Sequence, residues 1–193
     1  SPVFCLEFEM AIYRSSLCLL FATVAWSAIT PGCFGARIDT RVQLESMLLP
    51  GAIVEDFETF PVAATQTVVI TEPILNASTI TNGQGPGLVA PGLSFQVSSD
   101  AGTGTLEWIG TGVAGNASRA FRGSGNGGEF PMLQIDFPEN IQAIGLDFRR
   151  PPSFAVEVLS PSGERLFLSR AIPDPFFGFV DSEGIGSVRI GFV

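Results

Sequence analysis

Four runs of alternating residues decide the fold: LQIDF (133–137), IGLDF (144–148), FAVEV (154–158) and VRIGF (188–192). In each run, apolar residues alternate with polar or small ones. This period of two is typical of a β-strand with one buried face and one solvent-exposed face. Proline, glycine, asparagine and serine residues separate the runs and favour turns. The sequence therefore predicts a meander of antiparallel strands that belongs to an all-β sandwich.

The same alternation extends towards the N-terminus, where β-branched and aromatic residues accompany it. It predicts further strands at residues 53–60, 67–71, 93–97 and 106–109. Residues 110–128 are rich in glycine, asparagine and serine, and we expect them to form a long loop. Their run GSGNGG (123–128) matches a dinucleotide-binding glycine pattern, but no helix is predicted after it, so we interpret it as loop. Seventeen phenylalanines in a chain of 193 residues supply the core of one domain.

The N-terminal part of the sequence has the features of an export signal. Arg14 supplies a positive charge, residues 17–29 form an apolar run, and residues 31–36 offer small residues for cleavage. The apolar run of about 13 residues is shorter than the ~20 that a membrane span needs. Residues 1–9 carry acidic side chains that do not suit such a signal, so we expect translation to begin at Met10.

We predict a signal peptide at residues 10–35, with cleavage after Gly35. The mature chain then lacks cysteine, because Cys5, Cys18 and Cys33 all precede the cut. Cleavage before Cys33 would instead produce a lipoprotein. The segment before that cysteine lacks the leucine that usually stands three residues ahead of it, so we favour export as a soluble protein.

The composition excludes several classes of function. The net charge is −9 and the ten basic residues form no cluster, which argues against nucleic acid as a partner. The chain has no histidine and no lysine. This excludes nucleophiles paired with histidine, zinc sites with histidine ligands, and phosphate-binding loops that use lysine. We expect a protein that is not an enzyme and needs no cofactor.

The one metal that the sequence leaves open is a structural calcium ion, which takes oxygen ligands from carboxylates and carbonyls. Asp56 and Glu58 lie on the same side of the predicted first strand, and Asp100 lies in a glycine-rich loop. These three carboxylates are the candidate ligands. The alternative is that they are solvated side chains on strand exteriors. Carboxylate pairs can also hydrolyse glycosides unaided, but no motif singles out such a pair here.

Trp108 is the only tryptophan after the predicted signal peptide, and the one tyrosine, Tyr13, lies within that signal. Sugar-binding sandwiches stack pyranose rings on exposed tryptophan or tyrosine. The candidate glycan contact is therefore Trp108 with Asn116 and Asn126 of the adjacent glycine-rich loop. The alternative is a half-buried core tryptophan. An exposed Trp108 favours glycan binding, and a buried one favours a structural role.

The run FFGFVDSEGIGSVRI (176–190) resembles secreted bacterial jelly-roll domains found upstream of PEP-CTERM sorting signals. DFE (56–58) and the segment 138–148 match further motifs of that family. The resemblance covers residues 53–193, after a lead-in at residues 36–52. It implies a jelly roll, export to the envelope or matrix, and no characterised activity. Family members continue with a closing strand that carries an Asp-Asp pair. The resemblance therefore implies that the domain is truncated here, and the alternative is a domain that ends with an exposed sheet edge.

These observations favour an exported, non-catalytic β-sandwich of jelly-roll type. The leading hypothesis is a module that binds glycan or matrix polymer at the cell surface or outside the cell. The first alternative is a purely structural or assembly module of a larger surface protein. The second is a glycosidase that works with carboxylates alone. We expect no transmembrane span in the mature chain, and the sequence does not indicate an oligomeric state.

Overall fold

The computed structural model describes most of the chain after residue 35 and one segment before it. The described residues are 10–14, 35–48, 53–55, 60–98, 104–112, 120–125, 132–137, 141–148, 154–172 and 175–192. Within these ranges the chain forms fourteen strands and one short helix, α1, at Arg41–Glu45. The strands are β1 Met10–Arg14, β2 Ala36–Ile38, β3 Ile53–Glu55, β4 Thr67–Ile70, β5 Ile74–Asn76, β6 Ser94–Ser98, β7 Gly104–Ile109, β8 Ala120–Gly125, β9 Met132–Asp136, β10 Ile141–Asp147, β11 Phe154–Leu159, β12 Arg165–Ile172, β13 Phe176–Val180 and β14 Ser187–Phe192.

The strands form three sheets. A five-stranded sheet has the order β2-β13-β10-β1-β3, and a six-stranded sheet has the order β12-β11-β14-β9-β6-β5. A third sheet contains β4-β7-β8. Every pairing between these strands is antiparallel. The predicted all-β, antiparallel architecture is thereby confirmed.

The four runs near the C-terminal end are strands, as predicted, but the predicted meander is wrong. β9 pairs with β14 and β6 in the six-stranded sheet. β10 follows β9 in sequence but lies in the five-stranded sheet, where it pairs with β13 and β1. Alternation indicates which face of a strand is buried, but it says nothing about the partner strand, and a sandwich can place consecutive strands in either sheet.

The inward faces of the sheets meet in one apolar core, which makes the architecture sandwich-like. Phe167 of β12 lies 5.4 Å from Phe177 and 5.6 Å from Phe179 of β13, measured between ring centroids, and so joins the six-stranded sheet to the five-stranded one. Phe95 and Phe121 meet edge to face at 5.3 Å and join the third sheet to the six-stranded one. Burial of each such ring stabilises the fold by roughly 1.5–3 kcal/mol.

The predicted lead-in of residues 36–52 contributes to the sandwich. β2 pairs with β13 at the edge of the five-stranded sheet. The Thr40 hydroxyl caps α1 by accepting a hydrogen bond from the Gln43 backbone N–H at 3.2 Å. Leu44 of α1 is buried with Ile38 and Phe176 in a small apolar cluster. The helix is therefore held by packing as well as by its cap, because five residues are too few to be stable alone.

β1 lies within the predicted signal peptide. It pairs with β10 along its whole length and with β3 through Met10, Ala11 and Ile12. Residues 1–9 and 15–34 lie outside the described residues, so the signal peptide stays a prediction. Removal of residues 10–35 would also remove β1 from the five-stranded sheet. Among the described residues, no helix is long and apolar enough to cross a membrane.

β8 lies inside the stretch that was predicted to be a long loop, so that prediction is wrong for residues 120–125. β8 pairs with β7 over six residues. A Cβ atom at Gly123 would lie 3.2 Å from Cγ2 of Val97 and 3.6 Å from Cβ of Leu133. Glycine at this position lets β8 pass close to the six-stranded sheet, and the pairing with β7 overrides the low strand propensity of glycine.

Candidate functional site

Trp108 lies in the core rather than on a binding surface. Its side chain is 0% exposed. The indole stacks on Phe60 with ring centroids 4.6 Å apart and meets Phe121 edge to face at 5.1 Å. β7 is the middle strand of the third sheet, and Val68 and Phe121 flank Trp108 in register. The predicted glycan contact at Trp108 is therefore corrected to a core position, because a ring enclosed by other side chains cannot stack on a sugar.

The other predicted site residues lie outside the described residues. They are Asn116 and Asn126 for glycan and Asp56, Glu58 and Asp100 for calcium. Their roles remain predictions. Across the part of the chain that the structure does describe, no group of three or more His, Cys, Asp or Glu residues could hold a metal ion.

Two buried carboxylates outside the predicted set of calcium ligands have structural partners. Glu55 of β3 is 4% exposed, and its Oε2 accepts a hydrogen bond from the Ala90 backbone N–H at 2.6 Å. Asp181 follows β13 and accepts hydrogen bonds from the backbone N–H groups of Glu183 at 2.8 Å and Gly35 at 2.9 Å. Both side chains hold loops against the sandwich, as hydrogen-bonded buried carboxylates commonly do.

The outer face of the six-stranded sheet carries a cross-strand row with one residue from each strand. Directly paired residues lie on the same face of a sheet, so the registers of the strand pairs define this row. From β12 to β5 it contains Leu168, Glu157, Arg189, Gln134, Gln96 and Ile74. Flanking residues such as Val156, Val188 and Ile135 are fully buried in the core, so the row faces away from the core.

Hydrogen bonds join most of this row to two neighbouring side chains, and we call the joined set the outer-face network. Its members are Arg165, Glu157, Arg189, Gln134, Asp136 and Gln96. At one end, Glu157 Oε1 accepts from Arg165 Nε at 2.6 Å, and Glu157 Oε2 accepts from Arg189 Nη1 at 3.3 Å. The side chain of Glu157 is only 9% exposed and contacts both arginines.

The other end of the network consists of amides around one carboxylate. Arg189 Nε donates to Gln134 Oε1 at 2.9 Å. Gln134 Nε2 donates to Asp136 Oδ1 at 2.7 Å, and Gln96 Nε2 donates to Asp136 Oδ2 at 2.9 Å. Five strands, from β12 to β6, thus contribute to one connected polar surface. Two arginines balance two carboxylates, so the network is formally neutral on a chain of net charge −9.

This surface cannot be recognised from the sequence alone. Every member except Arg165 occupies the polar position of a predicted alternating run, such as Gln134 in LQIDF and Arg189 in VRIGF. The alternation predicts that these side chains face solvent. Predicting that they join one another would also require the order of the strands in the sheet, which alternation does not reveal. Comparison of the chain with protein-family models, curated proteins and solved structures finds no match.

Proposed function

We propose that the chain is a non-catalytic structural module of an exported protein, built as a β-sandwich of jelly-roll type. The observation that carries this proposal is the burial of Trp108 between Phe60 and Phe121. A glycan-binding sandwich of the expected kind needs that ring on its surface, and a structural module needs it in the core.

The polar side chains support the same function. The carboxylates of Glu55 and Asp181 hold backbone loops, and that of Glu157 holds two arginines. These groups are used for folding, and their positions do not suggest an acid and base that face each other across a cleft. The absence of histidine and lysine from the sequence supports a role without catalysis.

Export is supported by the N-terminal sequence and by the resemblance to jelly-roll domains that precede PEP-CTERM signals. We test export with a fusion of the full chain to alkaline phosphatase, which is active only where its disulfides form. The fusion is expected to be active, and a variant with Leu19→Arg and Leu20→Arg in the apolar run is expected to be inactive. A fusion that is inactive in both forms overturns the proposal of export.

The structural role is tested by thermal unfolding with a panel of mono- and disaccharides. A bound ligand raises the midpoint, because it stabilises only the folded state. We expect no shift for any small sugar. We also expect no release of reducing ends when the chain is incubated with soluble polysaccharides. A raised midpoint or released reducing ends would overturn the structural role, whatever the result of the export test.

A second function, contact with a polymer, is favoured by the outer-face network. This surface supports the expectation that the module contacts a glycan or matrix polymer, but at a different place from Trp108. This contact requires neither export nor the structural role.

A further inference from the structure

We propose that the outer-face network is a docking surface for an extended, neutral polysaccharide chain. The proposal adds a binding activity to the structural role. It rests on four properties of the network: its fixed side chains, its unused hydrogen-bonding atoms, its charge balance and its extent across the sheet.

The side chains of the network hold one another in place. Glu157 joins two arginines, and Asp136 joins two glutamines. Long polar side chains normally lose rotamer entropy when they bind a ligand, and this loss weakens binding. Side chains that are already joined lose less of it. The surface is therefore arranged in advance for a polar ligand.

Hydrogen-bonding atoms remain for a ligand at both ends of the network. Arg165 uses Nε for Glu157, and its side chain is 60% exposed. Within the described residues, the two Nη atoms of Arg165 make no hydrogen bond, and Oε1 of Gln96 accepts none. Sugar hydroxyls both donate and accept, so they can bind guanidinium donors and amide acceptors together.

The charge balance favours a neutral ligand. Arg165 and Arg189 offset Glu157 and Asp136, so the surface gives an acidic polymer no excess positive charge. The net charge of −9 repels such a polymer at longer range. A neutral polysaccharide needs no excess positive charge and is not repelled by the net charge, because its binding depends on hydrogen bonds and on contact with C–H groups.

The extent of the surface favours a chain rather than a single sugar. The row crosses six strands, and neighbouring strands are about 4.8 Å apart, so it spans about 24 Å. It ends in two exposed aliphatic side chains, Leu168 and Ile74, each 43% exposed. These side chains provide apolar contacts for the C–H faces of sugar rings, and the polar members lie between them. A polymer can reach both ends at once, and a monosaccharide cannot.

The experiment is affinity electrophoresis of the full chain in native gels cast with hydroxyethyl cellulose, galactomannan, soluble starch or alginate. Alginate is the anionic comparison. The test variant replaces Gln96 and Gln134 with alanine. The matched control replaces Gln66 and Gln84, which are exposed outside the six-stranded sheet, with alanine. Near-ultraviolet circular dichroism checks that each variant is folded, and Arg165→Gln serves as a second test variant because its side chain is largely exposed.

We expect retardation of the unmodified chain in at least one neutral gel and none in alginate. The double variant Gln96→Ala/Gln134→Ala should weaken binding about tenfold, because it removes the free acceptor of Gln96 and the glutamine that joins Arg189 to Asp136. The control should bind like the unmodified chain. Free migration in all three neutral gels overturns the proposal, and so does retardation in alginate as strong as that in the neutral gels. Equal retardation of the test and control variants also overturns it, because the contact then lies elsewhere. None of these outcomes tests the structural role. That role is tested separately, by thermal unfolding with small sugars and by the release of reducing ends.

Discussion

The cluster around Trp108 and the outer-face network lie on neighbouring sheets and use their side chains in opposite ways. Trp108 is fully enclosed by rings such as Phe60 and Phe121. Arg189 and Gln134 lie on β14 and β9, which carry buried residues on one face and the network on the other. The comparison shows that the side of the strand decides whether a side chain meets solvent, and that the type of side chain is a weaker guide.

The largest expected effect is that of Trp108→Ala. Removal of a buried tryptophan leaves a cavity among Phe60, Phe121 and their neighbours, so we expect the free energy of unfolding to fall by about 3–5 kcal/mol. Urea unfolding measures this loss. Leu168→Ala, at an exposed position of the outer face, is the control and should change stability by less than ~0.5 kcal/mol. Similar small losses for both variants would show that Trp108 is not a core residue.

Gly110→Ala should have the next largest effect. Gly110 follows β7, and an added Cβ atom would lie 2.0 Å from the Ala63 carbonyl oxygen and 3.0 Å from Val62 Cγ1. The backbone beside the Trp108 cluster would have to shift, so we expect a loss of about 1–3 kcal/mol in the free energy of unfolding. Gly83→Ala meets no atom within 4 Å, and its positive φ of 74° makes it a control for backbone strain alone. A smaller loss for Gly110→Ala than for Gly83→Ala would contradict the close packing at the end of β7.

Glu157→Ala tests whether the outer-face network stabilises the fold. It removes the carboxylate that joins Arg165 to Arg189. We expect a loss of about 1 kcal/mol, because both arginines remain accessible to water and solvent screens their interaction. Glu164→Ala, an exposed glutamate beside Arg165, is the matched control and should be neutral within ~0.5 kcal/mol. Chemical denaturation of both variants in low and high salt measures the difference. Identical losses would indicate that Glu157 contributes no more than any surface carboxylate.

Gln96→Ala should have the smallest effect on stability. The side chain donates one hydrogen bond to Asp136, which keeps a second donor in Gln134. We therefore expect a loss of about 0.5 kcal/mol, at the low end for a hydrogen bond. Thermal unfolding measures this loss. The control is Gln66→Ala, which changes an exposed glutamine outside the six-stranded sheet. A loss as large as that of Trp108→Ala would remove the distinction between the two regions.

Much of the fold could be predicted from the sequence, because alternation reports which residues face a core. The runs LQIDF, FAVEV and VRIGF became strands close to the expected bounds. Strand partners could not be predicted, since β9 and β10 alternate in the same way but lie in different sheets. β8 could not be predicted, because its glycines have low strand propensity and its formation depends on pairing with β7.

The candidate site could be predicted less well than the fold. Trp108 is a candidate surface contact because its residue type suits sugar stacking, and a core position is the alternative. The short run around it does not decide between the two, and only the structure shows that rings enclose it. The network members other than Arg165 were each predictable as solvent-facing residues. Their connection was not, because Gln96 and Asp136 are 40 residues apart and meet only through the pairing of β6 with β9. Long-range pairing therefore carries the information that the sequence pattern lacked.

The most direct test of this account is acrylamide quenching of Trp108 fluorescence. Trp26→Phe in the full chain leaves Trp108 as the only tryptophan, whether or not the predicted signal peptide is removed. We predict blue-shifted emission with little quenching in the folded protein, and red-shifted emission with strong quenching in urea. Strong quenching in buffer, from protein shown to be folded by circular dichroism, would contradict the buried position of Trp108. That result would support the predicted glycan contact at Trp108, on the surface around β7.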